Sequence, residues 1–127
     1  MSIWHKTDPE RCAIEVQLMA KRSNARLYEN GDQLYWLESL RSQTNRLYQI
    51  KISYPVRFPY ERPQGFIISP TITSAPHRFS DGSLCLFSTS HDGAAKTTAL
   101  VVRNRVVVWI FAYELWAATG EWMAPQH

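Results

Sequence analysis

Cys85 is the residue of this sequence best suited to chemistry, and two histidines bracket it: His77 eight residues before and His91 six after. A thiolate is a nucleophile when it is reachable and has polar neighbours to support it. An imidazole can donate a hydrogen bond from one nitrogen and accept a proton at the other. Asp81-Gly82-Ser83, just before the cysteine, is turn chemistry and argues for a surface position. Asp92, next to His91, adds a carboxylate that could orient an attacking group. The competing reading is structural: Cys85 lies between Leu84 and Leu86, and a thiol often serves as a small core side chain.

Other chemistries fit these residues less well. His77, Cys85 and His91 could be three zinc ligands, but no CxxC pair exists and nothing obvious supplies a fourth donor. No metal or cofactor is expected. A cysteine protease built from Cys85, a histidine and Asp92 is at odds with a short chain and a proline-rich lead-in. The five tryptophans suit a core better than a base-stacking platform.

The chain that must position Cys85 has 127 residues, 45% of them hydrophobic and 20% charged. That composition suits one globular domain with a real core. The net charge of +3 is spread out, with no Lys/Arg run. No nucleic acid is expected as partner, because such binding wants a concentrated basic stripe. The N-terminus has no apolar core of a signal peptide, and the run Val106 to Tyr113 is too short to cross a bilayer. A cytoplasmic protein without membrane contact is the expectation. Two distant cysteines, Cys12 and Cys85, do not make a disulfide framework.

In chain order, Thr7-Asp8-Pro9-Glu10 signals a helix start, with Thr7 as the cap. Cys12, Val16 and Met19 recur at helical spacing, as do Ile14 and Leu18, so Cys12 should be inert. Arg11, Lys21 and Arg22 decorate this helix and are candidate partner-binding residues; it should end near Ser23-Asn24. Ala25 to Glu29 reads as a strand leading into the turn dipeptide Asn30-Gly31. A second strand runs from Leu34 to about Leu40, and a third from Arg46 to Tyr54 with clean alternation. Pro55, Pro59 and Pro63 forbid regular pairing. Gly65 to Ser69 is a fourth strand, and Thr71 to Leu86 a long ordered loop of the kind that carries function. Thr97 or Thr98 caps a helix to about Thr119, stopped by Gly120 and apolar nearly all round, hence central and buried. The fold class is α+β: an N-terminal helix, a four-stranded antiparallel meander, a loop with the cysteine, and a buried helix.

Taken together and in order, these residues resemble a small ubiquitin-conjugating enzyme over nearly the whole chain. Tyr54-Pro55 with Phe58-Pro59 resembles the family's proline-rich segment, and Gly82-Ser83-Leu84-Cys85-Leu86 resembles its Gly-x-Ile-Cys-Leu motif. Where the family has His-Pro-Asn this chain reads Ala75-Pro76-His77: Pro76 is kept, and His77 takes the place of the Asn thought to steady the oxyanion or the loop. The loop after Cys85 lacks the family's Trp-x-Pro, and the chain stops soon after its long helix. In these traits it resembles compact bacterial relatives found with cGAS-like nucleotidyltransferases in anti-phage operons.

The resemblance implies a thioester carrier. Cys85 would accept the C-terminal acyl group of a ubiquitin-like protein, or of a cGAS-like nucleotidyltransferase, with or without help from an activating enzyme, and pass it to an amine. His77 would replace the missing Asn, with His91 and Asp92 as further candidates to orient the amine and Pro76, Asp81, Gly82 and Ser83 shaping the loop. A donor aimed at the tetrahedral oxyanion would be worth roughly 2.7–4 kcal/mol. The rival classes are a non-catalytic interaction module on the same fold, against which the retained cysteine speaks, and a nucleic-acid adaptor, for which only the mild positive charge speaks.

Overall fold

The computed structural model describes residues 4–87 and 96–122. A short helix α1 (Trp4–Thr7) precedes α2 (Pro9–Arg22). Four strands follow, β1 (Arg26–Asn30), β2 (Gln33–Arg41), β3 (Leu47–Ser53) and β4 (Gln64–Ser69), and then the long helix α3 (Ala99–Thr119). The strands pair antiparallel in sequence order, as short turns dictate. This is the expected α+β meander with helices on one face.

The register puts alternate side chains inward. Leu34 and Trp36 of β2 and Tyr48, Ile50 and Ile52 of β3 are buried, and they meet Val102, Val106, Trp109 and Ile110 of α3. At Gly65 of β4 a Cβ would lie 2.6 Å from Val106 Cγ2, so the missing side chain is what lets α3 settle against this strand. The first hairpin turns through Gly31-Asp32, with Asn30 still paired to Gln33, one residue later than the Asn-Gly signal suggested. Gly31 supplies the positive φ of +62°.

Three expectations need correction. The cap of α2 is Asp8, whose carboxylate accepts from the Arg11 amide at 3.1 Å; Thr7 instead closes α1. The inward face of α2 is Cys12, Glu15 and Met19, whereas Val16 and Ile14 are exposed. Glu15 can be buried because its Oε1 accepts from the Tyr54 hydroxyl and the Ala99 amide, both at 2.8 Å. Finally, α3 is not buried all round. Ala99, Val102, Val106, Trp109, Ile110 and Ala112 face the core, but Val101, Val107, Val108 and Phe111 are exposed, because the described layers cover only one side of the helix.

The last helix otherwise starts and stops as its sequence dictates. The Thr98 side chain accepts from the Val101 amide, and Gly120 ends the helix in the left-handed region at φ +81°. No described helix is long and apolar enough to cross a membrane.

Candidate functional site

The segment expected as a long ordered loop without strand pairing contains a miniature hairpin, and Cys85 ends it. Arg78 and Leu84 form an antiparallel bridge. The Phe79 amide donates to the Ser83 carbonyl at 2.9 Å and the Gly82 amide to the Phe79 carbonyl at 3.0 Å, closing a tight turn. Gly82 takes the positive φ of +91° that this turn needs. Inside the turn, Asp81 accepts from both the Ser83 amide (2.9 Å) and the Ser83 hydroxyl (2.6 Å). Those two donors hold the Asp81 carboxyl below its ordinary range. The triplet thus shapes the turn.

The hairpin is fastened to the frame by its backbone. The Leu84 amide donates to the Gly65 carbonyl of β4 at 2.9 Å, and Leu84 and Leu86 are buried on either side of the cysteine. Cys85 itself is half-buried. The structural and reactive readings of the sequence therefore meet here: two leucines anchor the strand and the thiol between them stays partly exposed. Its Sγ lies 3.9 Å from the Phe87 carbonyl, as a weak donor.

His77 stands directly across from Cys85. The Cys85 amide donates to the His77 carbonyl at 2.8 Å, and Trp109 Nε1 of α3 donates to the same carbonyl at 3.2 Å. His77 has φ +59°, a left-handed conformation that Asn and His accept more readily than most residues. Its imidazole packs on Trp122 with ring centroids 4.8 Å apart. The structure thus brings His77 and Cys85 together through the backbone, and places the His77 ring in an aromatic group with Trp122 and Trp109.

Downstream of the thiol, Phe87 lies against two guanidinium groups, Arg62 at 4.5 Å and Arg105 at 4.4 Å from its ring centroid. Arg105 also donates to the Leu86 carbonyl at 2.9 Å, pinning the chain just past Cys85. A groove beside this cluster is lined by Arg62, Gln64, Phe79, Leu84 and Phe87. Sequence reasoning missed Trp109, Trp122, Arg62 and Arg105, because only the fold brings them to residues 77–87. The one local cue was Trp122, two residues beyond the glycine stop.

The remaining candidates fall elsewhere. His91 and Asp92 lie outside the described residues. Arg11 is engaged by the fold itself: it bonds Glu15 Oε2 (3.4 Å) and the Thr97 carbonyl (3.5 Å) and covers the Phe58 ring at 4.8 Å. Lys21 and Arg22 are exposed at the end of α2. Cys12 is packed against the core, and burial, with the nearby Glu15 charge, pushes its thiol pKa up. Among the described residues no three His, Cys, Asp or Glu side chains gather as metal ligands would.

The site can be set beside known proteins. A family model described as type II CBASS E2 protein matches residues 15–127. A stretch of 42 residues is 40% identical to ubiquitin-conjugating enzyme 15 of Arabidopsis thaliana, covering 33% of this chain and 26% of that enzyme. The match thus spans about a quarter of the Arabidopsis enzyme's length. A solved Plasmodium vivax ubiquitin conjugating enzyme E2 aligns with a TM-score of 0.45 at 19% identity, over 76% of this chain and 97% of that one.

Proposed function

Because the chain belongs to the type II CBASS E2 protein family, we propose that it is a ubiquitin-conjugating-like transferase that carries its acyl cargo on Cys85. The observation that carries this reading is the hairpin. It presents one half-exposed thiol between two buried leucines and ties that residue's amide to His77, at the position where the family resemblance puts its active-site Asn.

The chemistry asks little of the protein. The Cys85 thiolate attacks the activated C-terminal carbonyl of a donor; an S–C bond forms and the activating group leaves. An acceptor amine then attacks the thioester carbonyl and loses its proton. The C–S bond breaks, an amide forms, and the thiolate is regenerated. His77 serves the second step, as donor to the oxyanion or as acceptor of the amine proton. His91 and Asp92 are further candidates to orient the amine. Arg62 and Arg105 hold Phe87 and so fix the strand leaving the thiol.

The donor is a protein with a C-terminal acyl group, a ubiquitin-like protein or a cGAS-like nucleotidyltransferase, with or without a separate activating enzyme to deliver it. The setting is the bacterial cytoplasm and the purpose anti-phage defence. Lys21 and Arg22, exposed on α2, offer the partner a basic surface.

The test is an adduct. Each candidate donor, with and without an activating enzyme and ATP, is incubated with the protein and run on a non-reducing gel. A band at the summed mass that vanishes with thiol reductant is expected. Cys85→Ala should abolish it, Cys12→Ala should leave it, and Cys85→Ser should convert it to a reductant-resistant oxyester. An adduct that persists in Cys85→Ala rules out this carrier residue, and a chain that accepts neither donor would instead be an interaction module.

A further inference from the structure

We infer that Trp122 is a positioning residue for acyl discharge: it holds the His77 imidazole in place from beyond the end of α3. This rests on the reading of Cys85 as acyl carrier and His77 as its partner in discharge.

Gly120, at φ +81°, turns the chain out of the helix, its amide donating to the Trp116 carbonyl at 2.7 Å. The next amide, Glu121, donates to the Thr119 hydroxyl at 3.2 Å. This turn sends Trp122 back onto two rings. It lies 4.8 Å from His77 and 5.5 Å from Trp109, the latter edge-on at 60°. Trp109 is itself buried and stacked on Tyr113 at 5.4 Å. Trp122 therefore rests on a fixed support rather than on another loop.

His77 is held twice, by different parts. Its carbonyl takes the Cys85 amide and Trp109 Nε1, which sets the backbone. Its ring is set by Trp122. Removing Trp122 leaves the backbone link to Cys85 intact and lets the imidazole turn about its side-chain bonds. Discharge needs a polar group within hydrogen-bond reach of a developing charge or a moving proton, so a wandering ring costs rate. Loading begins from a thiolate and an activated acyl group and needs no such ring.

Single-turnover loading and discharge, measured separately with the full chain, test this. His77→Gly, which keeps the left-handed backbone, should slow discharge on the order of a hundredfold. Trp122→Ala should slow discharge about tenfold and spare loading. Trp122→Phe, which restores an aromatic face, should recover most of the rate. Trp122→Ala should add nothing in a His77→Gly chain. In wild type the His77 ring protons should show upfield shifts from the indole current, and these should disappear in Trp122→Ala at an unchanged fold. Gly120→Ala, with open space at its Cβ but a disfavoured φ, should move both readouts the same way.

Wild-type discharge in Trp122→Ala overturns the inference. So does an equal deficit with and without His77, or a joint fall of loading, discharge and melting temperature. A wild-type chain that takes no donor overturns the carrier reading, and Trp122's part in transfer with it; a loaded chain whose discharge ignores Trp122 overturns this inference alone.

Discussion

The layer of sheet and helices is fastened by buried and half-buried carboxylates, whereas the cysteine hairpin is fastened by backbone groups and aromatic rings. In the layer, Glu15 joins α2 to β3's end and to the start of α3 through Tyr54 and the Ala99 amide. Ala99 N–H is one of the donors a helix start leaves unpaired, and a carboxylate there also suits the helix dipole. Burial, then the charge of Glu15, pushes the Tyr54 pKa far above its ordinary value, so the phenol stays a donor. Glu38 on β2 takes Arg103 of α3 through two nitrogens, at 2.9 and 3.0 Å, and the Asn24 amide at 3.1 Å. Glu114 of α3 accepts from Tyr48 at 2.8 Å and Ser42 at 2.7 Å. By contrast, the hairpin hangs on the Leu84 amide at Gly65, the His77 carbonyl at Trp109, and the ring of Phe87 between two arginines. The frame pairs its carboxylates with buried and half-buried donors, whereas the candidate site keeps a half-exposed thiol.

Substitutions should therefore divide into those that unfold and those that disarm. The largest stability loss is expected at Glu15. Glu15→Ala strands the Tyr54 hydroxyl and the Ala99 amide in the interior and should cost roughly 3–5 kcal/mol, as breaking a buried charged network does. A thermal melt should drop by roughly 10 °C or more. A melt within 2 °C of wild type, on the order of the shift from under 1 kcal/mol, would erase the contrast between the regions.

Gly65→Ala comes next and sits where the two regions meet. Its methyl would press on Val106 at 2.6 Å and on Leu86 at 3.2 Å. A cost of about 1–3 kcal/mol is expected from overpacking. Because the Gly65 carbonyl holds Leu84, loading of Cys85 should fall in this variant more than its melt alone accounts for. Loading at the wild-type rate would separate the frame from the site more sharply than the contacts suggest.

His77 should behave as a site residue. His77→Ala loses the packing on Trp122 and puts at φ +59° a residue type less at home there than His, so about 1 kcal/mol of stability should go. His77→Asn keeps a residue type that tolerates the left-handed region and should melt within about 0.5 kcal/mol of wild type. If His77 donates to the oxyanion, the Asn variant also keeps substantial discharge; if it accepts the amine proton, the Asn variant is slow while still stable. A loss of several kcal/mol in both variants would move His77 into the frame.

The smallest effect is at Asp81. Its lowered carboxyl pKa means the turn's two bonds to Ser83 are present at neutral pH and lost as pH falls through that lowered pKa, below the ordinary carboxylate range. The Ser83 amide should then exchange faster and its resonance move, with no change in global fold. Asp81→Asn should flatten that pH dependence. A turn that loosens instead on raising pH above neutrality would contradict the assignment.

Much of this was legible locally. Alternation in Tyr48, Ile50 and Ile52 fixed a strand with one buried face, and Thr98 and Gly120 fixed the bounds of α3 to within a residue, because capping depends only on neighbouring groups. The Gly-Ser-Leu-Cys run and the turn chemistry of Asp81 marked the candidate site and its tight turn. What the chain alone could not decide was which apolar or charged side chain goes inward when several share a helix. Val16 lost its place to Glu15 because Tyr54 and Ala99, 38 and 83 residues from Val16 by sequence number, supply the donors that make a carboxylate acceptable inside. For the same reason α3, apolar all round by sequence, keeps an exposed face: burial depends on what packs there, not on hydrophobicity. Sequence spacing set His77 eight residues before Cys85, and the family resemblance made it a candidate partner of the thiol. Only the tertiary structure set Trp109 and Trp122 against His77 and Arg62 and Arg105 against Phe87, since contacts between distant residues follow from how layers pack and leave no periodic trace in the chain.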